Sequence, residues 1–189
     1  MTLGIDRSGP HQPMTTSNQA AVGARGHRGW RVLYAALAVL VFAGDQLTKR
    51  MVEASIPLHA VVPVIPHFFN LTYTYNPGAA FGLFSDSPAP WKTALLIAVS
   101  VVLLLAVSGI VLRSLAIERK AGVALALILG GAASNLLDRV RDGRVTDFLD
   151  FYIRDYHWFT FNLADSAIVA GAVLLVIHLL RPSTPANER

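Results

Sequence analysis

The sequence of 189 residues contains no cysteine. This absence excludes disulfide bonds, cysteine-ligated zinc or iron–sulfur sites, and a catalytic cysteine. Charged residues are also scarce, because they make up 15% of the chain, whereas soluble domains average about 25%. The net charge of +4 is small and scattered along the chain, so nucleic acid is not expected as a partner.

Hydrophobic residues, by contrast, make up 53% of the chain, and the mean hydropathy of +0.49 favours a membrane protein. Residues 93–112 carry no charge, and their number matches the roughly 20 residues with which a helix crosses a bilayer. Three other uncharged runs are shorter and reach that length only when the acidic residue at one end is included. We therefore predict four transmembrane helices, at residues 31–50, 92–112, 121–138 and 164–181.

Lysine and arginine residues near the helix ends predict the orientation of the chain, because they concentrate in cytoplasmic segments. Basic residues cluster before the first predicted helix, in the short loop 113–120 and after the last helix. Both termini are therefore expected in the cytoplasm, in a multi-pass protein of the cell (plasma or inner) membrane. The predicted organisation is a disordered cytoplasmic tail at residues 1–29, a transmembrane domain at residues 30–181 and a second cytoplasmic tail at residues 182–189.

Two segments outside the predicted helices are rich in β-branched and aromatic residues, at positions 61–75 and 144–161. Both are predicted to form short strands on the outer surface, and Pro63 and Pro66 interrupt the first segment. The side chains of a strand alternate between its two faces, so in the second segment Asp147 lies on the same face as the apolar side chains two positions before and after it. The predicted fold class is an all-α membrane protein of four transmembrane helices with a small β structure on the outer, extracytoplasmic side.

The predicted topology brings three carboxylates to the same, outer end of the bundle, because Asp45 and Asp138 close the first and third helices and Asp165 opens the fourth. A carboxylate at membrane depth is costly and usually faces the bundle interior or a wet cavity. Each acid alone could simply mark a helix end in the headgroup region. The shared depth of all three favours a common site near the outer interface.

The best candidates for catalytic residues are two acids. Asp165 lies at a predicted helix start, and Asp147 lies on the preceding strand-like segment. Two carboxylates in a confined site cannot both ionise cheaply, so one holds a proton while the other stays charged. Such a pair can activate a water as a base and protonate the leaving amine as an acid. A hydrolase with this pair needs neither a metal nor a cofactor, and none is predicted.

Other polar residues at the same depth are assigned supporting roles. Asp45 and Lys49 lie four positions apart on one helix face, where a salt bridge is the simplest interpretation. Asp138 and Arg139, near a helix end, are predicted to form an internal ion pair or a hydrogen-bonding post. The six histidines form no zinc-type pair at helical spacing, so no metal ligand is assigned.

Three alternatives are consistent with parts of this pattern. The run from Arg25 to Ala43, basic and then apolar, resembles a cleavable signal peptide. Intramembrane acids are also typical of a small transporter or channel subunit in which they carry protons or cations. In a non-enzymatic assembly factor, the same acids would be structural.

Five short motifs run through the predicted helices and strands in a fixed order. They are Asp45-Gln-Leu-Thr-Lys49, Asn76-Pro-Gly-Ala-Ala-Phe-Gly82, Gly130-Gly-Ala-Ala-Ser-Asn-Leu-Leu-Asp-Arg139, Val145-Thr-Asp-Phe148 and Phe161-Asn-Leu-Ala-Asp-Ser166. In this order, across residues 31–181, they resemble the bacterial lipoprotein signal peptidases, also called signal peptidase II. The resemblance argues against a cleaved signal peptide, because in that family the first motif follows the first span in a retained helix.

The resemblance implies an integral membrane aspartyl endopeptidase with a small outer β cradle. Such an enzyme removes the signal peptide from diacylglyceryl-modified prolipoproteins and cuts just before the lipidated cysteine. By position in the motifs, the catalytic pair is Asp147 and Asp165. A monomer is expected, with lipidated prolipoproteins and membrane lipid as its partners.

The resemblance also assigns roles to the other motif residues. Asn135 and Arg139 match positions that shape the substrate pocket, and Asn76 and Asn162 match polar positions lining the same site. The structural polar residues are Asp45, Lys49 and Asp138. One departure is visible, because Ser134 stands where the family usually has glycine, and this puts close backbone packing there in doubt.

Overall fold

A computed structural model describes residues 16–78, 90–113 and 118–180 of the chain. Within these ranges, the chain forms four helices and four strands, with one pair of strands after the first helix and the other pair before the last. The helices are α1 (Thr16–Ser55), α2 (Pro90–Arg113), α3 (Arg119–Asp142) and α4 (Leu163–Leu179). The strands are β1 (Val61–Ile65), β2 (Phe69–Asn76), β3 (Val145–Ile153) and β4 (Tyr156–His157). The protein is therefore mostly helical with a small sheet, as predicted.

Helix α1 is longer at both ends than the predicted helix 31–50. It begins at Thr16, so the last part of the predicted disordered tail is helical, whereas residues 1–15 and the predicted tail 182–189 lie outside the described residues. No proline occurs between Pro13 and Pro57, so nothing in that interval breaks the ladder of helical hydrogen bonds. The helix therefore continues past the polar turn around Asp45 and ends just before Pro57.

Three segments are long and apolar enough to cross a membrane, namely Gly29–Ser55, Trp91–Val111 and Arg119–Asp142. Helix α4 is apolar too, but it has 17 residues and falls short of the usual spanning length of about 20. Three of the four predicted spans thus have the length and composition that crossing a membrane requires. The crossing by α4 stays a prediction.

Helix α3 lies at the centre of the bundle and packs against α1, α2 and α4. Glycines permit this close packing, since a Cβ atom at Gly131 would lie 2.5 Å from the carbonyl oxygen of Ala164 in α4. A Cβ atom at Gly171 would likewise lie 2.6 Å from the carbonyl oxygen of Ala124 in α3. The backbones of α3 and α4 can therefore approach closely, which is how helices commonly associate in membranes.

The four strands form one antiparallel sheet in the order β1-β2-β3-β4. Pro63 lies within β1, which is tolerated because β1 is an edge strand. The central pair joins distant parts of the chain, since Thr74 in β2 lies opposite Asp147 in β3. This register brings Asn76, at the end of β2, close to the start of β3.

One face of the sheet is fixed to the end of α1 by a small apolar core. Val52 of α1 and Ile56, which directly follows this helix, pack with Tyr73 of β2 and Phe148 of β3. Because successive side chains of a strand point to opposite faces, burial of Phe148 against α1 directs Asp147 to the other face. The apolar core therefore determines where the Asp147 carboxyl group points.

Candidate active site

Asp147 is buried on β3 and is held by two amide side chains from other elements. Asn162, which precedes α4, donates from Nδ2 to Asp147 Oδ1 at 2.7 Å. Asn76, at the end of β2, donates from Nδ2 to Asp147 Oδ2 at 3.0 Å. Both carboxyl oxygens thus have a neutral hydrogen-bond donor, and no cation forms an ion pair with Asp147 among the described residues.

Asp165 lies in the first turn of α4, where it forms a capping box with Asn162. The backbone N–H of Asp165 donates to Asn162 Oδ1 at 2.9 Å, and the backbone N–H of Asn162 donates to Asp165 Oδ2 at 3.3 Å. Asn135 of α3 donates from Nδ2 to Asp165 Oδ1 at 2.8 Å. The positive end of the α4 dipole also favours a negative charge at this position.

Asn162 joins the two aspartates, because its side chain binds both the Asp147 carboxyl group and the backbone of Asp165. The residue is fully buried, and its Nδ2 also donates to Asn135 Oδ1 at 3.2 Å. Asp147 and Asp165, which are 18 positions apart in the sequence, are therefore fixed on either side of one asparagine. The structure thus brings both aspartates to Asn162, and their joint catalytic role stays a prediction.

The surroundings of Asp147 raise the pKa of its carboxyl group to about 7. Burial is the largest cause, and the negative charge of Asp165 raises the pKa further. The hydrogen bonds from Asn76 and Asn162 act in the opposite direction, because they stabilise the carboxylate. A carboxyl group with this pKa can hold a proton at neutral pH, which is what an acid–base pair requires.

Lys49 lies behind the two aspartates and connects α1 to α3. Its Nζ is 2.6 Å from both Asp45 Oδ2 and Asp138 Oδ2, and all three side chains are almost completely buried. Lys49 also donates to Asn135 Oδ1 at 2.9 Å. That contact orients the Asn135 amide so that its Nδ2 faces Asp165. The predicted salt bridge between Asp45 and Lys49 is thus part of a larger network.

Two residues to which the sequence pattern gave no role complete this network. Gln46 donates from Nε2 to Asp138 Oδ1 at 2.6 Å and to Ser134 Oγ at 3.0 Å. Ser134 donates its hydroxyl to Asp45 Oδ2 at 2.7 Å. Gln46 falls inside the first sequence motif, and its position one residue after Asp45 is the only signal by which sequence reasoning could have found it.

Asp138 and Arg139 do not form the ion pair that was one of the two expectations for them. Adjacent residues of an α-helix point about 100° apart, so Asp138 faces α1 while Arg139 faces another side of α3. Arg139 donates to the carbonyl oxygens of Gly78 and Asn135, at 3.0 and 3.3 Å. Asp138 is instead the hydrogen-bonding post, with Lys49 and Gln46 as its partners.

A cavity of about 310 Å³ opens beside the aspartates between α2, α3 and α4. Asn135, Arg139 and Asp165 form its polar end. Apart from Ser100, the rest of its wall is aliphatic and is built mostly by α2, from residues such as Leu96, Leu103 and Val107. Within the described ranges, no three histidine or acidic side chains are grouped as a metal site would require. The cavity therefore combines a long, mostly apolar wall with one polar end that contains Asp165.

All nine residues that the sequence singled out lie in this region and are linked by the contacts described above. The catalytic, substrate-binding and structural roles assigned to them are predictions. The remainder of the second motif, from Ala79 to Gly82, lies outside the described residues.

Comparisons with known proteins agree with this arrangement. Residues 37–181 match the family model described as signal peptidase (SPase) II. The chain is 45% identical over 150 residues to the lipoprotein signal peptidase of Solibacter usitatus, covering 79% of this chain and 92% of that protein. It is 47% identical over 146 residues to the lipoprotein signal peptidase of Yersinia pseudotuberculosis, covering 75% and 83% of the two chains.

The fold is similar to that of a solved bacterial membrane enzyme, with a TM-score of 0.73 and 32% sequence identity. The similarity covers 83% of this chain and 93% of the other. A second solved bacterial membrane enzyme gives a TM-score of 0.68 at 31% identity. From the family model and the relatives, it follows that this chain belongs to the signal peptidase II family.

Proposed function

We propose that this protein is a membrane aspartyl endopeptidase that removes signal peptides from diacylglyceryl-modified prolipoproteins, with Asp147 and Asp165 as its catalytic pair. The observation that carries the proposal is the pair itself, in which the buried carboxyl group of Asp147 and the half-buried carboxyl group of Asp165 flank Asn162. The pKa of about 7 for Asp147 lets one proton stay on the pair at neutral pH. The cut falls just before the lipidated cysteine.

Hydrolysis by such a pair proceeds without a covalent intermediate. The ionised carboxylate removes a proton from a water molecule, and the water oxygen forms a bond to the carbonyl carbon of the scissile peptide. The protonated carboxyl group gives its proton to the carbonyl oxygen as the tetrahedral intermediate forms. When the C–N bond breaks, the leaving amine takes a proton from the carboxyl group that received it from water, and a hydroxyl of the intermediate returns a proton to the other carboxylate as the new C-terminal carboxyl group forms. Neither a metal nor a cofactor takes part in these steps.

The ionised partner in the resting enzyme is Asp165. It lies at the positive end of α4 and accepts hydrogen bonds from the Asn162 backbone and the Asn135 amide. Asp147 also accepts two amide hydrogen bonds, but it lies on a strand and has no helix dipole to stabilise its charge. Asp165 therefore acts as the base toward water, and Asp147 acts as the acid.

Asn76, Asn135, Arg139 and Asn162 bind the substrate backbone around the pair. Arg139 contributes in a particular way, because its Nε is buried and has no hydrogen-bond partner in the part of the chain that the structure describes. A carbonyl oxygen of bound substrate would satisfy this donor, since an unpaired buried N–H is costly. The apolar cavity wall from α2 accepts the hydrophobic part of the signal peptide.

The protein crosses the inner (plasma) membrane four times, with α4 as the fourth span and both termini in the cytoplasm. The sheet then lies on the outer side, and the aspartates lie where α1, α3 and α4 reach that side. A peptide bond next to a lipidated cysteine reaches this depth while its acyl chains stay in the bilayer. The sheet clamps the extended peptide by strand addition, and the enzyme works as a monomer.

The proposal is tested with purified protein in lipid vesicles and a matched pair of precursor peptides, one diacylglyceryl-modified and one unmodified. We expect cleavage of the modified precursor just before its cysteine and no detectable cleavage of the unmodified one. Mass spectrometry of both fragments locates the cut. A proton or cation flux across the same vesicles, with no cleavage of either peptide, would instead support a transporter.

The pH dependence of cleavage provides a second expected result. The pair needs one proton, and the pKa of Asp147 is raised to about 7, chiefly by burial. Cleavage should therefore fall as the pH rises through about 7, because Asp147 loses the proton that it must donate. The descending limb belongs to the pair of carboxyl groups and not to one residue alone. The measurement is kcat for the modified precursor between pH 5 and pH 9. A kcat that stays constant up to pH 9 would contradict the assignment of Asp147 as the acid.

A further inference from the structure

Ser134 is fully buried in α3, and its hydroxyl has one possible orientation. Gln46 Nε2 donates to Ser134 Oγ at 3.0 Å, and this donor occupies one of the oxygen lone pairs. The hydroxyl hydrogen is then directed to Asp45 Oδ2, which lies 2.7 Å away. Ser134 thus connects two neighbouring side chains of α1 through a single oxygen atom.

Asp45 also contacts the backbone of α4. Its second oxygen, Oδ1, accepts the backbone N–H of Ala164 at 2.8 Å. Ala164 is fully buried in the first turn of α4 and directly precedes Asp165. With both carboxylate oxygens bonded, the Asp45 side chain cannot rotate without breaking a contact. The start of α4 is therefore held to α1 next to the residue that we propose as the base.

We propose that the Ser134 hydroxyl is a positioning group for Asp165, which it fixes by holding Asp45 against the backbone of Ala164. This inference rests on the proposed function, since it concerns the geometry of the same catalytic pair. Without the hydroxyl, Asp45 Oδ2 keeps only Lys49, which it shares with Asp138 and Asn135. The Asp45 carboxylate is then free to move toward Lys49, and the first turn of α4 loses its fixed distance from α1.

The effect should appear in the chemical step and not in substrate binding. Ser134 is not among the residues that line the cavity, whereas Asn135 and Arg139 are. A displacement of Asp165 relative to Asp147 disturbs the alignment of water with the scissile bond, and such small misplacements reduce rates strongly. A merely structural hydroxyl would affect thermal stability and leave turnover unchanged well below the melting temperature.

The experiment compares Ser134→Ala with Ser134→Gly in cleavage of the diacylglyceryl-modified precursor. We expect kcat to fall about tenfold in both variants while KM stays within about twofold of the wild-type value. Glycine is the residue usual at this position in the family, so this variant tests the hydroxyl without adding bulk. Thr48→Val is the matched control, because the Thr48 hydroxyl bonds only to carbonyl oxygens of its own helix, Gly44 and Asp45.

Three outcomes separate the possibilities. Wild-type kcat in both Ser134 variants, with an inactive Asp165→Asn variant, overturns this inference and leaves the proposed function intact. A loss in Ser134→Ala but not in Ser134→Gly also overturns it, because the methyl group and not the missing hydroxyl would then be responsible. Normal cleavage by Asp165→Asn contradicts the proposed function itself.

Discussion

Replacing either Asp147 or Asp165 with asparagine should abolish cleavage of a diacylglyceryl-modified precursor. Asparagine keeps the size of the side chain but can neither take a proton from water nor donate one at neutral pH. Acid–base catalysis by a positioned group typically contributes about 10²- to 10⁴-fold to the rate, so the loss of either carboxyl group should lower kcat by at least about 10²-fold. Gel separation of precursor and product, followed over time, measures the loss.

The two variants should still fold. Asp147 interacts with the amide groups of Asn76 and Asn162, and an asparagine side chain can replace the carboxyl oxygens as an acceptor at one of these contacts. In addition, the replacement removes a buried group whose ionised form is unfavourable. Thermal melting in detergent should therefore show a folded protein. A variant that melts like the wild type but does not cleave separates catalysis from folding.

Asp150→Asn is the matched control for these variants. Asp150 is also buried in β3, and it contacts Asn70 and His157 instead of the catalytic pair. We expect this variant to cleave the precursor, because the change leaves Asp147 and Asp165 untouched. If Asp147→Asn cleaved as well as Asp150→Asn, the catalytic pair would be wrongly assigned.

The second large effect is expected from Lys49→Met, which should strongly destabilise the fold. Lys49 lies 2.6 Å from Asp45 and from Asp138, and it is the cation that neutralises both carboxylates. Methionine has nearly the same length but no charge, so the change leaves two acids buried without their partner. Removal of one member of a buried ion pair typically costs about 3–5 kcal/mol. The melting temperature in detergent or lipid measures this loss.

Arg141→Met provides the control for Lys49→Met. Arg141 pairs with Asp142 at 2.6 Å, but the two side chains are 43% and 39% exposed. Water and salt screen such a pair, so its removal should cost at most about 1 kcal/mol. An equal loss of stability in the two variants would show that the Lys49 network contributes no more than a surface ion pair.

Several features of the site could be predicted from the sequence because they depend on local spacing. Asp45 and Lys49 had to face each other on a continuous helix, and the structure shows that contact. Asp165 could be placed at a helix start since it closely follows the aromatic, strand-like segment and precedes an apolar run. Asp147 could be paired with it because a short strand between two helices returns the chain to the same side of the bundle.

Other features depend on packing between distant elements, and the sequence carries little signal for them. Alternation placed Asp147 on one face of β3 with the apolar side chains at every second position, but it did not indicate that the first half of this strand is buried on both faces. The reason is that α1 covers the Phe148 face, while Asn76 and Asn162 cover the Asp147 face. When a strand is buried on both faces, apolar and polar residues no longer need to alternate along it, and the signal that distinguishes its faces is lost.

The partners of Asp138 illustrate the same difficulty. Its sequence neighbour Arg139 suggested an ion pair, yet the residues that bind Asp138 are Lys49 and Gln46, about 90 positions earlier. Nothing in local spacing connects positions so far apart. Ser134 differs from the residue usual in the family, but only its place between Gln46 and Asp45 shows what its hydroxyl does.

The Lys49 network also has a consequence for the order in which the chain is built. Asp45 and Lys49 lie one helical turn apart, so they can neutralise each other as soon as α1 enters the membrane. Asp138 has no such partner within α3 and needs α1 to be in place before its charge is compensated. A carboxylate at membrane depth is costly without a partner, so we expect α1 to serve as an internal template for α3 during synthesis. The proposed catalytic pair can form only after α4, the last helix among the described residues, docks on that template through Ala164.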